Sequence, residues 1–358
     1  MEKRLALVMI VKNGEATLGR CLESIRSHVD EIIIVDTGST DRTKQIAQVF
    51  GAKVFNFHWR DHFAEARNYA LARSSAEWNL ILDADEYVIS ADWEEIRLFM
   101  ENNGQIGRIR IDSDFVNGEG DNSQAGGWVS RLLPGDVRYA GRIHEQAQSD
   151  APRRNIPLLV NHDGYKGADK STRNIPLLLM EYESEGTSKS YYAYQLGKEY
   201  YGIKNYAEAS RYLEESLGRL HGREPYAPNV VVHYLYALIG LGDLDRGMEL
   251  VNQSHEYTSR FPDYYFACGI FYMDYIMAEP STRAHLLPKI EHSYLTAIAI
   301  GDSDRYDSVK GTGTDAAQFN LGLYYELSGQ ADKAAEAYRE SARHGNKKAQ
   351  ARLDGLSQ

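Results

Sequence analysis

Four short strand-like runs, separated by stretches of helical pattern, constrain the fold of this chain more than any other feature. Leu5–Val11 is apolar throughout, as a strand covered on both faces must be. After the polar turn Lys12-Asn13-Gly14-Glu15, the residues Leu18, Leu22, Ile25 and Val29 recur on one face of a helix. Glu31–Asp36 is the second buried run, rich in β-branched residues. Thr37-Gly38-Ser39-Thr40-Asp41 then supplies turn and helix-capping residues. A helix over 42–50 stops at Gly51, and a third strand is expected over 52–57. A helix over 63–73 precedes a fourth strand, 78–82, which ends in Asp83-Ala84-Asp85. Strands alternating with helices at this rhythm predict βαβ units, a mostly parallel sheet and a Rossmann-like α/β domain. Ligands of such sheets sit at the carboxyl ends of the strands. Asn13, Asp36, Asp83 and Asp85 all fall at those ends.

The chemistry of that rim follows from its residue types. Asp83 and Asp85 stand two residues apart where a strand unwinds, so both can face one cation. Mg²⁺ or Mn²⁺ is held by few carboxylates together with phosphate oxygens, and would neutralise a departing diphosphate. Asp36 reads either as a cap of its own turn or as an acceptor for nucleobase N–H and ribose hydroxyl groups. Ser39 and Asp41 read first as caps. Arg67 is either a solvated helical residue or a planar fork for anionic oxygens. The chain has no GxxxxGK[ST], GxGxxG or GxSxG segment, which argues against phosphate-loop kinases, nicotinamide dehydrogenases and serine hydrolases of the elbow type.

A chain of 358 residues exceeds one ordinary core, so two domains are expected. Its net charge of −11 opposes a broad electrostatic grip on nucleic acid or anionic lipid. The cysteines, Cys21 and Cys268, are too few and too distant for a disulfide framework. The apolar run after Met1-Glu2-Lys3-Arg4 superficially mimics a signal peptide. It is short and ends in Lys12-Asn13 without a cleavage site, so a cytoplasmic protein without a membrane span is expected. All four tryptophans precede residue 130, whereas most of the 25 tyrosines follow residue 180. Two architectures joined near 165–190 are therefore expected.

From about residue 190 the pattern becomes helix pairs. Leu196-Gly197 with Tyr200, then Tyr206 and Ala209, matches Leu321-Gly322 with Tyr325, then Ala331 and Ala334. The stretch 234–247 fits the same register, and Cys268-Gly269 with Tyr272 opens a looser copy with an insertion near 279–283. Small residues at fixed offsets let helices approach, and an aromatic fills the gap. This resembles about four tetratricopeptide repeats stacked as an all-α solenoid. Most tyrosines are accounted for by packing, and the others can line a groove for an extended peptide or a homodimer contact. The segment Arg154-Asn155-Ile156-Pro157-Leu158-Leu159 recurs at 173–178, a spacing too short for a repeat domain, and reads as coincidence.

Val8–Asn13, Val35–Asp41, Ala66-Arg67-Asn68 and Leu82–Asp85, taken in order, resemble glycosyltransferase family 2 with the GT-A fold. The resemblance covers about the first 145 residues. It implies a nucleotide-sugar donor, a UDP-sugar first, with Mg²⁺ or Mn²⁺ and inversion at the anomeric carbon. Carried over by position, Val11, Asn13, Asp36, Ser39, Arg67, Asp83 and Ala84 would bind the donor, and Asp85 with Asp83 the metal. Lys12-Asn13-Gly14 replaces the commoner Tyr-Asn-Glu after the first strand. Trp128, Arg131-Leu132, the segment 139–146, His162-Asp163-Gly164-Tyr165, Lys170 and Arg173-Asn174 are similar to a bacterial subgroup carrying tetratricopeptide repeats. That subgroup includes enzymes that glycosylate bacteriocin peptides. By this resemblance Glu145 is the candidate base, His144 the alternative, and His162 a third metal ligand. The implied organisation is a catalytic domain over 1–165, a linking and closing segment over 166–189 that holds Lys170 and Arg173, and a repeat domain over 190–358. The implied acceptor is a peptide or protein, attacked through a Ser/Thr hydroxyl or a Cys thiol. Two alternatives compete: a glycan or lipopolysaccharide transferase, and a non-catalytic repeat scaffold.

Overall fold

Each apolar run anticipated between residues 5 and 82 is a strand, and each amphipathic stretch between them is a helix. The computed structural model describes residues 4–102, 104–116, 122–163, 170–184, 188–253 and 256–356. The chain divides into two units, Met1–Lys170 and Ser171–Gln358.

In the first unit, β1 (Leu5–Val11), α1 (Leu18–Ile25), β2 (Glu31–Asp36), α2 (Thr43–Val49), β3 (Lys53–Asn56), α3 (Phe63–Leu71) and β4 (Trp78–Ile81) follow one another as right-sized βα units. Then come β5 (Glu86–Ala91), α4 (Trp93–Met100), the long β6 (Ile106–Val116) and β7 (Asn122–Pro134), the short β8 (Arg138–Ala140) and β9 (Gln146–Gln148), and β10 (Arg153–His162). The sheet order is β3-β2-β1-β4-β7-β6-β10-β5. β3, β2, β1 and β4 are mutually parallel; β7 runs antiparallel to both β4 and β6; β10 is parallel to β6 and antiparallel to β5. Alternate residues of the central strands enter opposite cores. Leu7, Met9 and Leu80 pack with α1, whose Leu18, Cys21, Leu22 and Ile25 are all buried. Ala6, Val8 and Ile81 pack with Ala64, Ala70 and Leu71 of α3. This is the mixed, mostly parallel GT-A arrangement anticipated above.

The second unit opens with α5 (Ser171–Glu183), inside the stretch expected to be a connector. It packs on α6, so those residues belong to the helical unit. Arg173 lies in α5 with its guanidinium donating to Asn174 Oδ1 (2.9 and 3.0 Å), a placement within a helix and not on a free closing segment. Helix pairs follow: α6 (Lys189–Gly202) with α7 (Tyr206–Gly218), and α8 (Ala227–Leu241) with α9 (Leu244–Asn252). α10 (Pro262–Ala278) pairs with α12 (Leu287–Ile300), interrupted by the short α11 (Pro280–Arg283) where an insertion was anticipated. α13 (Asp315–Leu327) pairs with α14 (Ala331–Arg343), and α15 (Lys347–Leu356) follows. The glycine register explains the pairing. A Cβ on Gly269 would lie 2.5 Å from the Tyr294 ring, and one on Gly322 2.6 Å from Tyr338. Each glycine is thus the floor on which an aromatic of the next helix rests. Among the described residues no helix is long and apolar enough to cross a membrane.

Candidate active site

The first two rim loops are knitted together by short polar side chains. Thr37 donates from both its N–H (2.9 Å) and its hydroxyl (3.1 Å) to the Val11 carbonyl. Asn13 sits in the left-handed region (φ 52°), a conformation asparagine tolerates. It donates its N–H to Ser39 Oγ (2.8 Å) and accepts the Thr40 N–H on Oδ1 (2.9 Å). Gly14 is required by crowding: a Cβ there would meet Val11 Cγ2 at 2.8 Å and Ala84 Cβ at 3.2 Å. The loop after β1 therefore abuts the turn after β4, and Val11, Gly14 and Ala84 are neighbours. Asp36 is 1% exposed. Its Oδ1 accepts from the N–H groups of Gly38 (3.1 Å) and Ser39 (3.0 Å), with Lys44 Nζ at 3.7 Å. Asp41 likewise accepts the N–H groups of Thr43 (3.0 Å) and Glu15 (3.1 Å). In this state Asp36, Ser39 and Asp41 all perform the turn-capping role that their residue types allow.

Behind this rim lies a buried charge network. Arg67 of α3 donates Nη2 to Asp83 Oδ1 (2.8 Å) and Nε to Glu145 Oε1. Arg131 of β7 donates Nη2 to Asp83 Oδ2 (3.2 Å) and to Glu86 Oε1 (3.0 Å). Glu86 accepts the Asp83 N–H on Oε2 (2.8 Å), which fixes the turn that presents Asp85. Arg67 and Glu86 are buried, and the side chains of Arg131 and Glu145 are 12% and 11% exposed. Burial alone would push the Asp83 carboxyl up, but the two guanidinium groups reverse that and hold it well below the usual carboxylate range. Glu86 goes the other way. Burial raises it, Arg131 only partly offsets this, and the neighbouring Asp83 charge adds to the rise. Desolvation weakens both arginines, yet their carboxylate partners carry them above the ordinary arginine value.

Ala66-Arg67-Asn68 earns its place through one segment, 139–145. Asn68 clamps the Tyr139 backbone, donating Nδ2 to its carbonyl and accepting its N–H, both at 2.8 Å. Arg67, next in sequence, reaches Glu145. The segment turns sharply through Gly141 (φ 102°) and His144 (φ 50°). A bulky residue in the left-handed region is held there only by its surroundings. His144 and Glu145 are thus set beside the network, with Glu145 tied to Arg67.

Asp85 faces outward from the network. Its Oδ2 lies 3.2 Å from His162 Nε2, at the end of β10, and 3.9 Å from Lys170 Nζ. Ser113 Oγ stands 3.3 Å from His162 Nδ1 across the β6–β10 ladder, which orients the ring. Burial opposes charge on both groups. The hydrogen bond between them dominates, lowering Asp85 and raising His162. Among the described residues no three His, Cys, Asp or Glu side chains converge as a metal cage. A two-donor carboxylate–imidazole pair suits a cation that completes its shell with phosphate oxygens. Asp83, expected as a second metal ligand, is instead committed to Arg67 and Arg131. Arg131, Glu86 and Ser113 carry no role in the sequence reading. Glu86 was detectable as an acidic residue beginning a strand directly after Asp85, and Arg131 as a charge directly before the apolar pair Leu132-Leu133. Ser113 gives no sequence signal. Tyr165, of the His162–Tyr165 segment, lies outside the described residues.

Residues 6–153 match the family model described as Glycosyl transferase family 2. A TPR repeat-containing protein of Synechococcus elongatus is 30% identical over 69% of this chain and 64% of its own length. An uncharacterized glycosyltransferase of Rickettsia typhi is 33% identical over 29% of this chain and 35% of its own length. The SPbeta prophage-derived glycosyltransferase SunS of Bacillus subtilis is 25% identical over 58% of this chain and 52% of its own length. The chain thus spans between about a third and two thirds of these relatives.

Proposed function

Residues 6–153 form a glycosyltransferase family 2 domain, and from that premise we propose that the chain is an inverting, metal-dependent transferase moving a hexose-type sugar from a UDP-sugar to a peptide or protein acceptor. The observation that carries this reading is the pairing of Asp85 with His162 (3.2 Å) at the carboxyl ends of β4 and β10. The loops bearing Asn13 and Asp36 stand on the same rim. Asp85 and His162 are the residues that would hold Mg²⁺ or Mn²⁺, which when bound supplies Lewis-acid neutralisation of the diphosphate. Asp83 holds Arg67 and Arg131 in place, and Arg67 in turn holds the Glu145 carboxylate beside them, where a general base is needed. In the reaction the acceptor oxygen or sulfur bonds to the anomeric carbon, the bond from that carbon to the diphosphate oxygen breaks, and the acceptor proton passes to Glu145. His144 is the alternative base. Support for a peptide acceptor comes from the helix pairs of the second unit, an architecture suited to extended ligands.

A donor screen tests the reading. Purified protein is incubated with Mn²⁺ or Mg²⁺ and a panel of nucleotide sugars, and released nucleoside diphosphate is followed with and without EDTA. EDTA-sensitive release from one or two UDP-sugars is expected. Binding and release with none of the donors would overturn the transferase reading and leave the repeat scaffold.

A further inference from the structure

A nucleobase lying beside Asp36 needs a flat face to rest on, and the loops after β1 and β2, residues 12–17 and 37–41, contain no aromatic residue. The neighbouring loop after β3, residues 57–62, supplies one. It leaves the sheet at the carboxyl end of β3, where the Phe57 N–H donates to the Asp36 carbonyl (2.8 Å). It is pinned further along to the segment that bears His144 and Glu145: Arg142 Nη1 donates to the Asp61 carbonyl (3.0 Å), and the Phe63 N–H donates to the Arg142 carbonyl (2.7 Å). The loop therefore bridges the Asp36 turn and the candidate base.

Its indole is held in one orientation. Trp59 Nε1 donates to Asp61 Oδ1 (2.8 Å), and the edge contact with Phe63 places the ring centroids 4.8 Å apart at 73°. Asp61 adopts a left-handed backbone (φ 54°) to make this possible, a conformation paid for by the contacts around it. Trp78, by contrast, is 1% exposed in the core, and Trp93 stacks on His28 at 4.2 Å. Trp59 is only half-buried, on the rim, oriented by a hydrogen bond and an edge contact. We propose that Trp59 is the platform on which the nucleobase of the donor stacks; the proposal rests on the transferase reading above and adds a base-binding residue to it.

The test compares Trp59→Phe and Trp59→Ala with the wild-type chain, using UDP and inorganic pyrophosphate as probes in the presence of Mn²⁺. UDP is expected to quench wild-type tryptophan emission, and Trp59→Phe to lose most of that quench while binding UDP within about threefold of wild type. Trp59→Ala is expected to lose about 5- to 140-fold in UDP affinity by calorimetry, the usual worth of one base–aromatic stack (~1–3 kcal/mol at ~1.4 kcal/mol per tenfold), with pyrophosphate affinity unchanged. Emission from the remaining tryptophans checks that both variants are folded. Equal UDP affinity in wild type and Trp59→Ala overturns the platform, as does an equal loss for UDP and pyrophosphate. A wild-type chain that binds no nucleoside diphosphate at all overturns the transferase reading itself, a result distinct from either.

Discussion

Replacing Arg131 by Met tests whether the buried network supports the fold or merely decorates it. The methionine keeps the length of the stem and removes the guanidinium. Asp83 is one-third exposed and retains Arg67 at 2.8 Å, so its loss is tolerable. Glu86 is 3% exposed, and Arg131 is its only cationic hydrogen-bond partner among the described residues. Removing one partner of a buried pair costs about 3–5 kcal/mol, and the lower end applies where one carboxylate keeps a partner. For a unit of this size about 3 kcal/mol lowers the melting temperature by about 6–12 °C. The pH dependence has a definite sign. A carboxyl raised in the folded state contributes stability that is present at low pH and lost as pH rises through its folded value. Glu86 is such a group, and Arg131 is what restrains it. The penalty in Arg131→Met is therefore largest near neutral pH and shrinks on acidification. Tryptophan fluorescence is the assay, because every tryptophan lies in the first unit and none in the second. A loss below about 1 kcal/mol at neutral pH, or one that grows on acidification, would refute the reasoning.

Further outcomes follow from the same geometry. Asp85→Ala is expected to abolish metal-dependent donor turnover with the melting temperature unchanged, because the side chain is partly exposed and supports no core; Mn²⁺ binding by electron paramagnetic resonance checks it. Ser113→Ala is expected to weaken Mn²⁺ binding about 10- to 100-fold through loss of ring orientation at His162, measured by the same titration. Glu145→Gln should keep UDP affinity in calorimetry and lose transfer; retained transfer moves the base to His144. Gly322→Ala pushes a Cβ to 2.6 Å from the fully buried Tyr338 and should cost about 1–3 kcal/mol, whereas Gly218→Ala, with nothing within 4 Å, should be neutral or stabilising by up to ~1 kcal/mol; near-UV circular dichroism of the tyrosines separates the two.

How far the fold could be read in advance depended on whether pattern or context decides each element. β1, β2 and β4 are buried on both faces, so a mainly apolar run suffices, whereas the edge strand β3 is part-exposed and was marked by the glycine stop before it; all four ends matched within a residue or two. The helical pairs were legible because a glycine beneath an aromatic repeats in register. The hexapeptide Arg-Asn-Ile-Pro-Leu-Leu marks the opposite limit. At 154–159 it is part of strand β10, where the proline falls in a register shift against β6, a position that needs no ladder donor. At 173–178 the same six residues lie in helix α5, with Pro176 inside it. Identical local preference yields opposite structures, and neighbours make the choice. In the strand Ile156 and Leu158 enter the core under α4; in the helix Leu177 and Leu178 are buried while Arg173 is not.

The residues of the candidate site could be named in advance but not their partners, and the reason is electrostatic. An Asp-x-Asp pair read from sequence presents two equivalent carboxylates. Their equivalence ends once two long cationic side chains arrive from α3 and β7, elements 16 and 48 residues away from Asp83. Asp83 lies between the two guanidinium groups, and its charge is needed there, since two adjacent buried guanidinium groups without an anion between them would repel each other at high cost. Among the described residues Asp85, two residues on, meets an imidazole and a distant ammonium and no guanidinium. Glu86 closes the turn by accepting the Asp83 N–H, so that the direction of Asp85 is set by a residue buried behind it. The four-residue run Asp83–Glu86 thus carries three distinct acids: one that anchors arginines, one that faces the rim, and one that fixes the angle between them. Only their partners, drawn from distant strands and helices, distinguish the three.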